Sequence, residues 1–315
     1  MTVTGESRTT EVLMILTDTT GRESEIRSLL QETRPELSKT DLDAWMQTVC
    51  RGASIFCILE NEKIEALLVL KKRRFEMPEG AAEISVISEF LCAPDWNPAG
   101  AFEILLEPAL DAASRNSLFV LARTRNIPLL EKMGFSVLST TLQADLPNRL
   151  SREASPFFGR PWNHREDLYP LYRQFMQNFE GSVILSKEEF DRELSAWLVG
   201  ARNCLVFDDD KGLPAAFALM HREDRKLKAD VLVYTSMESL KRMLSHFCTL
   251  YAESAVCFSR SENLHKVFGL EAEEDGAVMI CLTSPRLVSH WLKKEIRQPA
   301  DMFNPLQLPV WNQLI

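Results

Sequence analysis

Apolar residues along this chain recur with two different periods. Short runs alternate apolar and polar positions as half-buried strands do, and longer stretches repeat their apolar positions every three or four residues as helices do. The pattern is densest between Ala82 and Thr140. There the stretch from Glu83 to Cys92 predicts a strand that stops at Ala93-Pro94. Asn97 and Pro98 have the residue types of a helix N-cap and first helical position. The helix they open carries Phe102, Leu105, Leu106, Ala109, Leu110 and Ala113 on one stripe. Pro108 inside it predicts a kink or a local break. Ser117 to Ala122 predicts a second strand, and Arg123 to Asn126 leads into a short helix from Ile127 and a further strand. Such an order sets a helix N-terminus beside the ends of two neighbouring strands, a common way to hold a phosphate-bearing cofactor.

The same order can be followed twice. Before the dense block come a strand at Val12–Leu16 and a helix from Glu23 to Glu32. A second helix opens at Ser38 with Asp41 as an approximate capping box, and a hairpin joins Ile55–Leu59 to Ile64–Leu70. After a polar, proline-bracketed linker, residues 147–156, the elements return at an offset close to 140 residues. They include helices at Leu168–Met176 and Lys187–Leu198, a hairpin through Asp208–Gly212, and a strand, helix and strand between Val231 and Phe258. A chain of 315 residues exceeds a comfortable single core, which makes two units the expectation. The fold class is α/β (α+β), with a first module at 1–146, a second at 157–284, and a terminal helix and apolar tail at 285–315 that packs back onto the body.

Composition narrows the partners. A net charge of -9 argues against a nucleic-acid backbone, and the basic run Lys71–Arg74 reads as a solvated strand tip. No apolar run nears the roughly 20 residues that span a bilayer, and no secretory signal follows Met1, so the expected location is the cytoplasm, with no membrane partner. Trp291 and Leu287 share a face of a basic-flanked terminal helix, which is expected to dock on the body rather than on a membrane. The seven cysteines are scattered and read as small hydrophobes, and no metal site is expected. The acidic run Glu271–Asp275 reads as a solvated hairpin turn, one that can also draw in a cationic substrate.

In residue terms, the amides of Ala99, Gly100 and Ala101 at a helix start suit a pyrophosphate, although Pro98 brings no N–H; the alternative is an ordinary strand–helix turn that binds nothing. Under strict alternation Glu83, Ser85, Ile87 and Glu89 share one strand face.

Taken together, the element order resembles the GNAT acetyltransferase superfamily, twice over. The resemblance rests on Asn97-Pro-Ala-Gly-Ala-Phe102 in the place of the family's glycine-rich loop, with one glycine kept, and on Asn126 followed by Leu130-Glu-Lys-Met-Gly-Phe135. Leu130 stands where the family often has a tyrosine acting as general acid. The second half, through Leu168-Tyr-Pro-Leu-Tyr172 and Phe179-Glu-Gly181, resembles the degenerate module of the enhanced intracellular survival acetyltransferases, without their third domain. This resemblance implies acyl-CoA, acetyl-CoA or a longer thioester, as co-substrate. The main chain of Leu91, Cys92 and Ala93 would hold the pantetheine; Asn97, Ala99, Gly100, Ala101, Phe102 and Asn126 would complete the site.

The implied reaction is transfer of the acyl group to a small-molecule or peptide amine. Glu89, or else Glu83, is the candidate to take the amine's proton, against the alternative of an ion-paired strand residue. A third candidate is the carboxylate of Ile315, because tandem relatives use their chain terminus as a base. The rival reading is a non-catalytic acyl-CoA-binding or scaffold protein. A transferase dependent on aminoacyl-tRNA fits the acidic charge poorly. Acceptor and oligomeric state are left open.

Overall fold

The computed structural model describes residues 14–303 except 18, 154–158, 180, 200–201, 224 and 252. Ile315 therefore lies outside the described residues, as does most of the tail.

The first half runs β1 (Met14–Leu16), α1 (Glu23–Thr33), α2 (Lys39–Trp45), β2 (Ser54–Glu60), β3 (Lys63–Met77), β4 (Gly80–Cys92), α3 (Pro98–Ser114), β5 (Phe119–Thr124), α4 (Ile127–Lys132) and β6 (Ser136–Asp145). The second runs β7 (Arg160–Pro161), α5 (Tyr169–Met176), β8 (Ser182–Val183), α6 (Lys187–Trp197), β9 (Arg202–Asp208), β10 (Pro214–Glu223), β11 (Lys226–Tyr234), α7 (Met237–Leu250), β12 (Ser254–Ser259), α8 (Leu264–Val267) and β13 (Ala272–Leu282). The helix α9 (Pro285–Leu292) follows, and a single 3-10 turn at Pro299–Met302 lies just before the last described residue. The mixed α/β reading holds. Ser38 caps α2 with Asp41 in a reciprocal capping box. α3 runs unbroken past Pro108, so of the kink or local break expected there the break is absent.

All described strands belong to one mostly antiparallel sheet, in the order β1-β2-β3-β4-β5-β13-β6-β12-β11-β10-β9-β7, with β8 added to β3. The last strand of the second half, β13, lies between β5 and β6 of the first, and β6 in turn pairs with β12. Each half thus lends a strand to the other. Burial reflects the exchange. One core cluster joins Phe75, Phe119 and Leu121 to Tyr172, Phe190, Phe217 and Val288. α3 packs Leu105 and Leu106 on one face of the first-half sheet, and α1 and α2 cover the opposite face with Leu29, Leu30 and Trp45. At about 1.5–3 kcal/mol for each large apolar side chain removed from water, the shared core binds the halves strongly.

Three expectations need correcting. Lys71 and Arg73 are not a solvated strand tip. They are buried against α6, with Lys71 2.7 Å from Glu193 and Arg73 paired to Glu189 and Glu193. Glu271–Asp275 is no hairpin turn, because β13 starts at Ala272 and the Asp275 side chain is 12% exposed. Both errors have one cause: a charged residue looks solvated in sequence until the element that faces it is known. The third is the shared face of β4, which a bulge at Ser88 divides. The expected docking of α9 is seen: Val288 and Leu292 are buried and Trp291 packs against the shared core, while Leu287 stays exposed.

Candidate functional site

Two parallel contacts interrupt the antiparallel sheet. β4 pairs with β5 only from Ser85↔Val120 to Ile87↔Ala122, and β11 with β12 only from Leu227↔Ser254 to Ala229↔Val256. In each case the pairing stops one residue before a bulge. Ser88 is the extra residue between Leu70↔Ile87 and Val69↔Glu89. Asp230 is the extra residue between Met220↔Ala229 and Leu219↔Val231. A bulge bends its strand and re-aims the residues beyond it, so both pairs splay past that point.

In the first half the splay is a wedge of about 490 Å³, within the range of small-molecule sites. Its floor is apolar: Phe90 and Phe102 meet edge to face at 5.1 Å, and Leu129, Leu130, Ile87 and Ala122 continue the lining. Leu130 is buried, so no phenol stands at that position. In the second half the strand ends are tied instead. Tyr234, the last residue of β11, donates its hydroxyl to Glu262 Oε1 at 3.2 Å, and Glu262 Oε2 accepts the Ser259 amide at 2.7 Å. Burial raises the Glu262 carboxyl to about 7, with those two hydrogen bonds opposing the rise.

The bulge also corrects the face assignment on β4. Glu83, Ser85 and Ile87 alternate as expected, but past Ser88 the parity reverses. Glu89 falls opposite Val69, on the side of α1 and α2, whereas Ile87 packs with the α3 side. The Glu89 carboxylate accepts from Arg34 Nη2 at 2.9 Å and from Trp45 Nε1 at 3.4 Å, and Glu89 lines the wedge. Glu83 is exposed four residues before the wedge begins, and its carbonyl accepts the Leu118 amide.

Main-chain donors at the wedge are fewer than the sequence suggests. The Ala93 amide is spent on Glu65 O at 2.7 Å, and Leu91 and Ala93 are buried in the core. Antiparallel alternation from that bond makes residues 93, 91 and 89 the hydrogen-bonded pairs with β3. Cys92 and Phe90 accordingly turn their amide edges to the open side. At the start of α3, Ala101 N–H already donates to Asn97 O at 3.0 Å as the first intrahelical bond, and Ala99 N–H donates to Asn97 Oδ1 at 3.2 Å. The expectation of three outward amides thus reduces to one, Gly100. Asn126 caps α4, accepting the Leu129 amide at 3.3 Å, and its own amide donates to Thr124 Oγ1 at 2.8 Å.

Of the residues the sequence nominates, Glu89, Ala99, Phe102 and Asn126 line the wedge, whereas Glu83, Leu91, Cys92, Ala93, Asn97, Gly100 and Ala101 do not; Ser88, Phe90, Ala122, Arg123 and Thr124 line it without having been nominated. Phe90 was legible as an alternating apolar position. The bulge has no residue signature.

The residues present suit the pantetheine arm and thioester of an acyl-CoA: an apolar channel flanked by two strand edges. They suit its diphosphate less well, since among the described residues the start of α3 keeps one unspent amide, Gly100, and the lining arginine, Arg123, already faces Asp275.

Three solved structures share this architecture. A conserved protein of unknown function from Enterococcus faecalis V583, named a probable N-acyltransferase, superposes with a TM-score of 0.67 at 9% identity, covering 87% of this chain and 72% of its own. A GCN5-related N-acetyltransferase from Kribbella flavida gives 0.58 at 13% identity over 89% and 74%, and one from Anabaena variabilis ATCC 29413 gives 0.64 at 13% over 87% and 73%. No family model matches the sequence. No curated protein matches it either. The protein has the fold of the GCN5-related N-acetyltransferases, with the splayed wedge in its first half.

Proposed function

We propose that the chain is an acyl-CoA-dependent N-acyltransferase built as two tandem GNAT modules, of which the first binds the thioester and the second has lost that site. The observation that carries the reading is the pairing of an open wedge with a tied one. β4 and β5 part at the Ser88 bulge over an apolar channel, while Tyr234 and Glu262 stitch the equivalent strand ends of the second half.

In this reading the amide edges of Phe90 and Cys92 hold the pantetheine as an added strand would, and Phe102, Leu129 and Leu130 exclude water from its flank. Gly100 N–H at the positive end of α3 meets the diphosphate. The bound thioester supplies an activated acyl group, and the acceptor amine attacks it directly. Glu89 is the wedge's own carboxylate, and its hydrogen bonds from Arg34 and Trp45 hold it as an anchor on the α1–α2 side.

Calorimetric titration with acetyl-CoA and longer acyl-CoAs tests the reading, with turnover on an amine panel as the second measurement. Saturable binding and turnover are expected. Glu89→Gln is expected to change kcat by much less than the roughly 100-fold that loss of a proton acceptor brings. Tight binding without turnover would select the scaffold alternative, and absence of binding would remove both.

A further inference from the structure

Beside the wedge, and sharing Arg123 and Thr124 with it, lies a second cavity of about 340 Å³ whose walls are charged. It crosses the seam of the strand exchange, drawing on β5, β9, β10, β11 and β13. Its centre is a row of three residues in register on adjacent strands: Arg202 opposite His221, and His221 opposite Lys228. Directly opposed residues share a face with their Cβ atoms about 5 Å apart, so the three side chains stand together.

The bulge in β11 places Asp230 beside this row. Its Oδ2 lies 2.6 Å from His221 Nδ1, and Asp230 is buried, 7% exposed. A buried carboxylate on Nδ1 orients an imidazole and directs Nε2 to the substrate side. Nδ1 carries the one polar contact that His221 makes among the described residues.

The charges of the cavity are divided. Asp275 is shared by Arg125 at 2.7 Å and by Arg123 and Lys228, both at 3.8 Å. Asp230 serves His221, and Glu223 stands exposed at the rim. Arg202 is different. Its guanidinium donates to the Trp197 carbonyl at 3.3 Å and lies 5.2 Å from that indole ring, with no carboxylate within ion-pair distance among the described residues. Burial pulls the Arg202 guanidinium below its ordinary value, with the Asp230 carboxylate of the same cavity first among the charges that oppose the fall. A guanidinium with no carboxylate at ion-pair distance among the described residues, in register with an imidazole–carboxylate pair, matches a molecule carrying an anion and an amine a few bonds apart.

We infer that this seam cavity is the acceptor site and that it takes an amino acid, with Arg202 on the acceptor's carboxylate and His221, oriented by Asp230, on its amine. The inference rests on the acyltransferase function proposed for the wedge. The acceptor ammonium gives one proton to His221 Nε2, which returns it to solvent. The freed nitrogen forms the C–N bond as the C–S bond of the thioester breaks, and the second nitrogen proton ends on the departing thiolate.

The test uses the full chain without acyl-CoA, titrated with each of the twenty common amino acids, with ethylamine and with acetate. At least one amino acid is expected to bind at least tenfold more tightly than either fragment. Arg202→Gln is expected to weaken that binding at least tenfold and Arg202→Lys to restore part of it, with thermal melts checking that both variants fold. With acyl-CoA added, His221→Gln is expected to cut kcat about 100-fold while the amino acid's affinity changes far less. Ethylamine binding as well as any amino acid, or an unchanged affinity in Arg202→Gln, would overturn the inference. Acyl-CoA binding with no amino-acid binding defeats this inference alone, whereas failure of acyl-CoA to bind defeats the reading beneath it.

Discussion

Cys57, Cys204 and Cys257 are buried, and burial raises each thiol to about 12, so they behave as the small apolar residues their sequence contexts suggest. Glu262 shows the opposite kind of residue, one whose surroundings nothing nearby in the chain announces. It is half-buried as a residue, but its carboxyl is the covered part, and that covering lifts its titration from about 4.5 to about 7. A carboxyl raised on folding holds its proton more tightly in the folded state than in the unfolded one. Stability from this group is therefore full below pH 4.5 and is lost as pH rises to 7. At about 1.4 kcal/mol per pH unit the loss is at most about 3–4 kcal/mol, with residual solvent access lowering it. Thermal melts between pH 5 and 8 are expected to show this decline in the native chain and a flatter curve in Glu262→Gln. Equal slopes would show that the carboxyl titrates as it does in water. The effect was illegible in sequence because Tyr234, its partner, is 28 residues away.

At the scale of elements, turns and caps were the readable features. Ser38 and Asn97 each cap the helix that the sequence assigned to it, because capping is a local competition among neighbouring donors and acceptors. What the cap does to function was less readable. Asn97 Oδ1 occupies the Ala99 amide, one of the few donors able to face a phosphate. Asn97→Gly keeps a tolerated N-cap at a cost of a few tenths of a kcal/mol and frees that amide. Tighter acyl-CoA binding is the expected result, by about 1 kcal/mol or roughly fivefold, read by calorimetry. Weaker binding would mean that the side chain itself holds the ligand. The Ser88 bulge lay beyond any local reading, since a register shift is a relation between two strands and no residue in β4 specifies it. It alone decides that Glu89 and Glu83 stand on opposite faces.

Across the whole molecule, the halves are joined by exchanged strands, a shared core and a buried ionic cluster. Glu193 of α6 holds both Lys71 and Arg73 of β3. Lys71 is buried, and burial pulls its ammonium below the ordinary lysine value against the opposing attraction of Glu193. Removing the shared carboxylate leaves two buried cations with little compensation, so Glu193→Ala is expected to lower unfolding free energy by about 3–5 kcal/mol in denaturant titrations. A loss below about 1 kcal/mol, the level of a solvated surface pair, would mean that water reaches the cluster. By itself the sequence determined the strand and helix order, the caps at Ser38 and Asn97 and the apolar faces, because each depends on neighbours within a few residues. Only the tertiary structure decided that β13 crosses into the first half, which wedge stays open, and that Arg202, His221, Asp230 and Asp275 meet Arg123 in one cavity. Those outcomes turn on pairings between residues far apart in the chain, such as Arg125 and Asp275, 150 positions from each other. Hydrophobic periodicity carries no record of which strand lies beside which.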